Sequence, residues 1–524
     1  MPITAVRVAT ALSGGVDSAV AALFLRRCVP RWCDVEALWR TERPLQLCEV
    51  VEALEQQRPW SEVVAFAPAT AEATHDPAAA VHYFPLFMRN WEDASESDGV
   101  GRRWCEAAQQ DYHDAMDVAR LLGLLRHGDL LPLHNYSTCY VEKCFQPMLS
   151  AYARGETLNV DVLCNEEVKF QALLDALLTT GRAAYLATGH YARTVSVPRL
   201  RGSSETPAPL RVIARPFSAR NDLNDQTVFL SRLSAKQTRR AIFPLGHVFA
   251  RKLDVRAVAE HFGMKQVSAK KTSTGLCFVG EHYRKVRRGD GGGCVGGFRS
   301  FLEEYIALDN TTLQRLTAAG RQTAFINAET QGVVKASELA LQGEDGGPLL
   351  PAYSLTLGQL IRGKGDGGES ARYYVQRKEL FPSSEVENHE AGYNDAWGYA
   401  RYLRTVWLVD RWDHPLLYAT LAELRDVALS LHPQWLERQA VNVRLRCRCC
   451  ARHQEPLRPA ELCFAWSEVR EANGRVCVSR ATVLFEDPVR ALTPGQALVA
   501  YVSLATEGAE DVAGWFVAAS GWIA

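Results

Sequence analysis

The chain has 524 residues, of which 47% are apolar and 23% are charged, and its formal net charge at pH 7 is −1. These values predict a soluble globular protein of two to four domains, because so long a chain exceeds a single core. We expect no membrane span and no secretory or transit segment, and the 14 cysteines are too sparse for a disulfide framework. A membrane protein and a disulfide scaffold are therefore excluded.

The predicted elements of the first half alternate between strand and helix. A buried strand (5–12) leads through a glycine-rich turn into a helix (19–25), and the segment 41–80, rich in proline and alanine, is predicted to be an insertion without a sustained period. The elements that follow are predicted as a strand over 81–91, helices over 114–125, 137–156 and 165–181, and a strand with a turn over 183–193. Such alternation predicts an α/β domain with a parallel sheet between two layers of helices.

The second half of the chain differs from the first in composition and in the period of its apolar residues. Glycine clusters at 289–297, 343–347 and 363–368 predict loops or insertions. Beyond about residue 400, a helical period is visible only near 421–436, whereas short strands are predicted over 441–448, 475–485, 496–504 and 514–523. The spacing of these strands indicates a small antiparallel barrel or sandwich.

The turn after the first strand carries the sequence Ser13-Gly14-Gly15-Val16-Asp17-Ser18. Glycines let a backbone approach an anion closely, hydroxyls donate to it, and the following helix points free N–H groups at it. The Gly-Lys-Ser/Thr ending of a Walker A loop is missing, and an aspartate at a phosphate site makes sense if Mg²⁺ accompanies the phosphates. The alternative is a plain helix N-terminus after a glycine turn.

A basic stretch runs from Arg232 to Arg288. It contains 14 lysines and arginines against three acids, a local surplus of 11 positive charges in a nearly neutral chain. Such a concentration suits a phosphate backbone, so it favours a nucleic-acid partner. Solvated helix faces are the alternative interpretation.

Two cysteines, Cys164 and Cys277, lie 113 positions apart in turn-like contexts. Cys164 is predicted to stand directly before a helix, whose N-terminus would lower its pKa, and Asp161 close by is a candidate acid or base. From the residues alone, inert buried cysteines remain the alternative. Cys105, Cys139 and Cys144 are interpreted as packing or surface thiols.

The flanking sequences carry a resemblance to known families. The loop 13–18 resembles the pyrophosphatase loop of the N-type ATP pyrophosphatases, and the segments NVDVLCNEEVKF (159–170) and STGLCFVGE (273–281) resemble those around the two cysteines of the tRNA-specific 2-thiouridylases. Further segments match that family in its order: ATGHYAR (187–193), NDQTVFLSRL (224–233), IFPLGH (242–247), SLTLGQ (354–359) and FEDPVRALTPGQALVAYV (485–502).

The resemblance implies an architecture of three parts. Residues 1–270 would form a doubly wound α/β ATP pyrophosphatase domain of the adenine nucleotide alpha hydrolase type, with its insertion at about 41–80. Residues 271–385 would form a small central domain carrying Cys277, and residues 386–524 a C-terminal antiparallel β-barrel.

The resemblance also implies a reaction, in which ATP adenylates the 2-oxygen of a wobble uridine and sulfur then replaces that oxygen. Cys277 would carry the sulfur as a transient persulfide, Cys164 would resolve it, and Asp161 would act as general acid or base. No stable prosthetic group is expected. The residues expected at ATP are Ser13, Gly14, Gly15, Asp17, Ser18, Met88, Gly189 and His190, with Asp17 also at Mg²⁺.

The expected partners follow from the same resemblance. The chain would be a monomer that binds the anticodon stem-loop of tRNAs of the Glu, Gln and Lys type and receives sulfur from a cysteine desulfurase or a sulfur relay. The expected tRNA contacts are Thr188, Asp225, Gln226, Arg239, Arg240, Lys270 and Lys271. The insertions favour a mitochondrial location, with the cytoplasm as the alternative.

Other readings stay open at this point. Another adenylating tRNA modifier, such as a 4-thiouridine or lysidine synthetase, would share the loop, and a catalytically idle tRNA-binding scaffold would share the charge. The segment CRCCARH (447–453) suggests zinc, but its spacing lacks a second paired knuckle, so a basic strand is the favoured interpretation.

Overall fold

The computed structural model describes residues 5–66, 75–91, 106–197, 210–221, 224–270, 318, 323–335, 339, 355–364, 370–381, 403–430, 442–472, 475–503 and 514–524. Cys277, Lys271 and Cys105 lie outside these ranges, so the predictions that concern them are not placed. No helix in the described ranges is long and apolar enough to cross a membrane.

The strands, in chain order, are β1 (Val6–Ala11), β2 (Val81–Arg89), β3 (Leu133–Asn135), β4 (Tyr185–Ala187), β5 (Arg193–Val197), β6 (Leu210–Ala214), β7 (Ala241–Ile242), β8 (Ala324–Asn327), β9 (Val333–Val334), β10 (Leu360–Lys364), β11 (Ser370–Leu380), β12 (Leu403–Val409), β13 (Tyr418–Leu429), β14 (Asn442–Cys450), β15 (Arg458–Ala465), β16 (Arg470–Ala472), β17 (Arg475–Arg490), β18 (Ala497–Ser503) and β19 (Trp515–Ile523). They form three sheets.

The α-helices are α1 (Val16–Cys28), α2 (Trp32–Trp39), α3 (Leu47–Glu55), α4 (Trp60–Val63), α5 (Glu106–Leu121), α6 (Ser137–Tyr140), α7 (Gln146–Ala153), α8 (Val160–Leu163), α9 (Leu174–Thr179), α10 (Thr227–Leu230), α11 (Ala235–Thr238), α12 (Pro244–Val248), α13 (Lys252–His261) and α14 (Lys265–Ser268). Two π-helical segments join neighbouring helices without a break: Val141–Phe145 links α6 to α7, and Cys164–Leu173 links α8 to α9.

The first sheet is parallel, with the strand order β3-β2-β1-β4-β7. The chain passes from β1 to β2 and β3 on one side of the sheet. It then returns to β4 and β7, which lie on the other side of β1. Helix α1 is buried on nearly every side because it packs against α3, α12 and α13 as well as the sheet. In a sheet of this order, ligands bind outside the carboxyl ends of the strands where the winding reverses.

The last sheet closes on itself. The antiparallel order β13-β17-β15-β14-β18-β19 is completed by pairing of β13 with β19, which gives a six-stranded barrel. Its interior is filled by side chains such as Val427, Leu462, Val483 and Leu498, each fully buried. The hairpin β5–β6, although it comes from the first half of the chain, extends this sheet through Phe516 and Ala214.

The middle sheet has the order β10-β11-β12-β8-β9. Strand β12 follows the boundary predicted at residue 385 but pairs with β11 and β8 inside this sheet. Phe325, Val375, Val406 and Leu408 form its buried core.

The structure confirms the α/β class and the C-terminal barrel. It also corrects two predictions. The helical period near 421–436 does not correspond to a helix in its described part, because residues 421–429 belong to β13. The segment 41–80 was predicted to have no sustained period, yet it contains α3, which buries Val50, Ala53 and Leu54 at helical spacing.

Candidate active site at the carboxyl edge of the parallel sheet

The loop between β1 and α1 is held in shape by its own hydroxyls. The Ser13 amide donates to Ser18 Oγ at 3.0 Å, the two serine hydroxyls lie 3.1 Å apart, and Ser18 Oγ donates to the Gly15 carbonyl at 3.0 Å. The loop therefore curls over the first turn of α1, where unpaired backbone N–H groups favour an anion.

Gly14 lies where a side chain does not fit. Its φ is +73°, and a Cβ atom built there would lie 2.2 Å from the carbonyl oxygen of Asp111 on α5. Lys270 connects the loop to α5. Its ammonium donates to the Gly14 carbonyl at 2.9 Å and pairs with Asp111 (2.7 Å) and Asp114. The loop backbone is thus fixed between α5 and the segment after α14.

Asp17, in the first turn of α1, is already bonded on both carboxylate oxygens. Tyr191 donates its hydroxyl to Oδ1 at 2.7 Å, and Lys252 lies 3.0 Å from Oδ2. Gly189 packs on the same turn, since a Cβ there would lie 2.6 Å from the Asp17 carbonyl carbon. The turn after β4 is therefore pressed directly against the start of α1.

Thr188 and His190 follow β4. Thr188 Oγ1 lies 2.7 Å from His190 Nδ1, and the imidazole packs between the rings of Phe170 and Phe243. Burial, assisted by the positive charge of Lys169, lowers the pKa of His190 to about 3. The imidazole is therefore neutral at physiological pH.

Cys164 does not precede a helix as predicted. The helix begins four residues earlier at Val160, and Cys164 opens the π-helical segment one turn inside it. Its thiol is buried and accepts a hydrogen bond from Asn90 Nδ2 at 3.7 Å. A hydrogen bond from the Cys144 thiol, with the positive charge of Lys169, holds the pKa of Cys164 below its ordinary value despite burial.

Asp161 lies at the start of the same helix, where its amide is capped by Asn159 Oδ1 at 3.1 Å. Burial raises the pKa of its carboxyl, and the nearby positive charges of Lys169 and His453 oppose that rise. The raised pKa makes this carboxylate a stronger proton acceptor than an ordinary aspartate.

The groups named so far meet at one edge of the sheet. The loop 13–18 follows β1, Met88 and Asn90 lie at the end of β2, and residues 188–190 follow β4. All of these groups therefore lie at the carboxyl ends of adjacent strands. Met88 packs against both the cluster of Phe170 and the cluster of Cys164. The helix with Cys164 therefore borders the place where a nucleotide would lie.

This geometry agrees with the comparisons to known proteins. A profile described as "tRNA methyl transferase HUP domain" matches residues 70–281. The tRNA-specific 2-thiouridylase MnmA of Alcanivorax borkumensis is 31% identical over 420 residues, which cover 79% of this chain and 86% of that protein. The enzymes of the same name from Neisseria gonorrhoeae and Halalkalibacterium halodurans are each 30% identical over 416 residues, with 84% of their length covered.

The chain belongs to the tRNA-specific 2-thiouridylase family. Its parallel sheet carries the nucleotide-binding candidate where the winding of the sheet reverses.

The predicted tRNA contacts differ in exposure and in hydrogen bonding. Arg239 is exposed, whereas Arg240 is half-buried and donates to the Ala184 carbonyl at 3.3 Å. Asp225 is buried, pairs with Arg215 at 2.6 Å and accepts from the Thr227 amide. Gln226 accepts from the Tyr191 amide at 2.9 Å, beside the phosphate loop.

Part of the basic stretch forms ion pairs and hydrogen bonds inside the protein. Lys270 and Lys252 neutralise acids around the phosphate loop, and Arg256 donates to the Lys270 carbonyl at 2.9 Å. Arg232 is 3% exposed and pairs with Glu166 at 2.7 Å. The charge surplus is therefore only partly available as a surface over its described part, which ends at Lys270, where Lys236, Arg239, Arg251 and Lys265 are exposed.

Sequence reasoning missed several groups of the candidate site. Tyr191 and Lys252 hold Asp17, and Asn90 and Cys144 contact Cys164. Tyr191 lies inside the matched segment 187–193, which could have singled it out. Cys144 carried no such signal, because it sits 20 positions from its partner in an ordinary helical pattern.

Proposed function

We propose that this protein is an ATP-dependent tRNA-uridine 2-sulfurtransferase that produces 2-thiouridine at the wobble position. The observation that carries the proposal is the placement of Cys164 and Asp161 on a helix that packs against Met88 at the carboxyl end of β2, the strand next to the one that leads into the phosphate loop. The similarity to 2-thiouridylases over 79% of the chain supports the same reaction.

ATP would bind across β1, β2 and β4. The loop from Ser13 to Ser18 offers hydroxyl and backbone donors to the phosphates, and the absent Cβ of Gly14 lets the loop backbone lie against Asp111 of α5. Met88 and His190 would lie on the nucleotide side. Since burial keeps His190 neutral, it would contact the nucleotide without adding charge.

Asp17 would supply one carboxylate ligand to Mg²⁺ at this site. Asp17 is 29% exposed, but it bonds to Tyr191 and Lys252, so most of the ligands would come from the phosphates and water. The metal would supply charge neutralisation for pyrophosphate as it leaves.

The chemistry begins with activation of the uridine. The 2-oxygen attacks the α-phosphorus of ATP, pyrophosphate leaves, and the oxygen becomes part of a good leaving group. Asp161, with its raised pKa, would exchange the proton of the uracil ring during these steps.

Sulfur transfer then proceeds through two successive nucleophilic attacks by sulfur. The terminal sulfur of a Cys277 persulfide attacks the uridine C2, and AMP leaves with the former 2-oxygen. The Cys164 thiolate then attacks Cys277 Sγ, the sulfur–sulfur bond to the base breaks, and its electrons complete the C2 thiocarbonyl. The resulting Cys164–Cys277 disulfide must be reduced by a thiol before the next turnover.

The biological setting is part of the proposal. The substrates would be tRNAs of the Glu, Gln and Lys type, recognised through the anticodon stem-loop, with the wobble base turned out of its stack. Sulfur would come from a cysteine desulfurase or a relay protein. The chain would act as a monomer, in mitochondria.

The test is a thiolation assay with purified protein, ATP, Mg²⁺, a persulfide donor, thiol reductant and unmodified tRNA. Thiolated RNA is retarded on a gel containing mercury. We expect retardation with the wild type and none with Cys277→Ser or Cys164→Ser, while Asp161→Asn loses most of the rate. Cys48→Ser is the matched control, because Cys48 is an exposed thiol on α3.

Two outcomes would contradict the proposal. Cleavage of ATP to AMP and pyrophosphate without any RNA shift would retain the loop assignment and exclude this substrate. ATP left intact in the presence of tRNA would favour a binding scaffold.

A further inference from the structure

The sequence places Lys270 among the expected tRNA contacts, but in the structure its ammonium bonds to the phosphate loop. It donates to the Gly14 carbonyl at 2.9 Å and pairs with two acids of α5, Asp111 at 2.7 Å and Asp114. These three partners belong to the phosphate loop or to the helix behind it. The position of Lys270 therefore points to a role at the loop.

The elements on both sides of this contact hold it in place. Asp114 is buried, and its second carboxylate oxygen accepts from the Gln110 side-chain amide at 2.9 Å. From α13, Arg256 donates to the Lys270 carbonyl at 2.9 Å. Burial disfavours the charge of Lys270, but hydrogen bonds to Asp111 and Asp114 more than offset this effect and raise its pKa. The ammonium is therefore charged at neutral pH.

The direction of the Gly14 carbonyl decides where the next amide points. The peptide between Gly14 and Gly15 is trans, and in a trans peptide the C=O and N–H groups point in opposite directions. Because Lys270 holds the carbonyl beside α5, the Gly15 amide points away from α5. Gly15 is the N-cap of α1, and no described residue accepts a hydrogen bond from its amide. This N–H group therefore remains available to a ligand.

We propose that Lys270 is a positioning residue for ATP: it fixes the Gly14 carbonyl and thereby aims the Gly15 amide at the phosphates. The inference rests on the proposed function, which places ATP at the loop 13–18. Glycine adopts positive and negative φ about equally well, so a peptide between two glycines turns over easily unless another group holds it. The ammonium of Lys270 supplies that restraint.

The experiment measures the affinity of the purified full-length protein for ATP in the presence of Mg²⁺ by isothermal titration calorimetry. Lys270→Met removes the charge and the donors, and we expect it to bind ATP about tenfold more weakly, as for the loss of one charged hydrogen bond. Lys270→Arg keeps the charge and the donors and should recover most of this loss. Lys265→Met is the matched control, because Lys265 is exposed on α14, and it should bind ATP as the wild type does.

Asp114→Asn separates positioning from direct contact with a phosphate. If Lys270 acts through Gly14, a weaker anchor on α5 lowers the affinity for ATP, and the double variant with Lys270→Met is no worse than Lys270→Met alone. If Lys270 were itself a phosphate ligand, its release from Asp114 would leave the affinity for ATP unchanged or raise it, and that result would overturn the proposal. Asp114→Asn also provides the test if Lys270→Met fails to fold.

Binding of tRNA provides an independent readout. The affinity for unmodified tRNA without ATP, measured by fluorescence anisotropy, should be equal for Lys270→Met and the wild type. A lower affinity for tRNA with unchanged affinity for ATP would overturn the proposal and return Lys270 to the tRNA contacts. Absence of ATP binding by the wild type would end the proposed function together with this inference, whereas equal ATP binding by the wild type and Lys270→Met would end this inference alone.

Discussion

Gly14 is the residue on which the shape of the phosphate loop depends most directly. It combines a left-handed φ of +73° with a backbone contact to Asp111 that leaves no room for a methyl group. We predict that Gly14→Ala lowers the free energy of unfolding by about 2 kcal/mol or more, because strain and steric overlap act together. Urea denaturation measures this change.

Gly123 offers the matched control for that prediction. Its φ is +64°, but a Cβ built there meets nothing within 4 Å. Gly123→Ala should therefore cost about 1 kcal/mol from backbone strain alone. Equal losses for the two variants would mean that the contact with α5 does not constrain the loop.

Buried His190 makes the stability of the protein depend on pH. Its pKa is about 3 in the folded protein against an ordinary value of 6.5, so between these values the unfolded chain binds a proton that the folded protein does not. Its contribution to stability is complete above about pH 6.5 and is lost as the pH falls towards 3. Buried His247, whose pKa is also lowered and whose Nε2 accepts from the Thr194 amide at 3.1 Å, acts in the same direction.

The prediction for His190 concerns the slope of stability against pH. Between about pH 4 and 6, His190→Gln should reduce the slope of the free energy of unfolding by about 1.4 kcal/mol per pH unit, the value for one proton. The remaining slope includes His247. An unchanged slope would show that His190 is protonated in the folded protein.

At the scale of elements, ion pairs and backbone hydrogen bonds connect the helix that carries Cys164 to the barrel. Glu166, two residues further on, is buried between Arg232 and Arg475, and Arg232 also reaches Asp426 on β13 at 2.7 Å. Nearby, the Thr157 amide donates to the Pro494 carbonyl at 2.8 Å. The barrel thus fixes the site helix through buried charges and backbone contacts.

Removing Arg232 should leave Glu166 only partly neutralised in a buried place. We predict that Arg232→Ala lowers the free energy of unfolding by about 3 kcal/mol, at the low end for a broken buried pair because Arg475 remains. Lys236→Ala is the control, since its exposed ammonium lies 3.7 Å from Asp175 and should contribute nothing measurable. Similar denaturation midpoints for both variants would show that the Arg232–Glu166 ion pair does not stabilise the protein.

Strand β13 shows why one element escaped prediction. Ala422 and Leu424 are buried in alternation with Glu423, as in any barrel strand. At Asp426, however, φ is +46° and the register with β19 shifts between Arg425 and Ala428. This irregularity changes the phase of the apolar residues, so the sequence shows an apparent helical period.

At the scale of the whole molecule, local patterns predicted the layers but not their assembly. The turn from β1 into α1 and the alternation of strands and helices were visible in the residues, and the parallel sheet was confirmed. Addition of the β5–β6 hairpin to the barrel sheet depends on pairing with β19, some 300 positions away, which no local period encodes.

The same limit applies to the site. The loop residues and Cys164 were recognisable from short segments. The contacts of Asp17 with Lys252, and of Glu166 with Arg475, join positions separated by hundreds of residues. These partners are set by packing of whole elements, so they needed the structure.

The measurement that tests the account most directly follows the oxygen that sulfur replaces. An anticodon stem-loop carrying oxygen-18 at C2 of the wobble uridine is incubated with the protein, ATP, Mg²⁺ and a persulfide donor, and the released AMP is analysed by mass spectrometry. Activation of the 2-oxygen by adenylation predicts that AMP carries the heavy isotope in equal amount to the thiouridine formed. Unlabelled AMP, with the heavy oxygen still on the RNA, would contradict it.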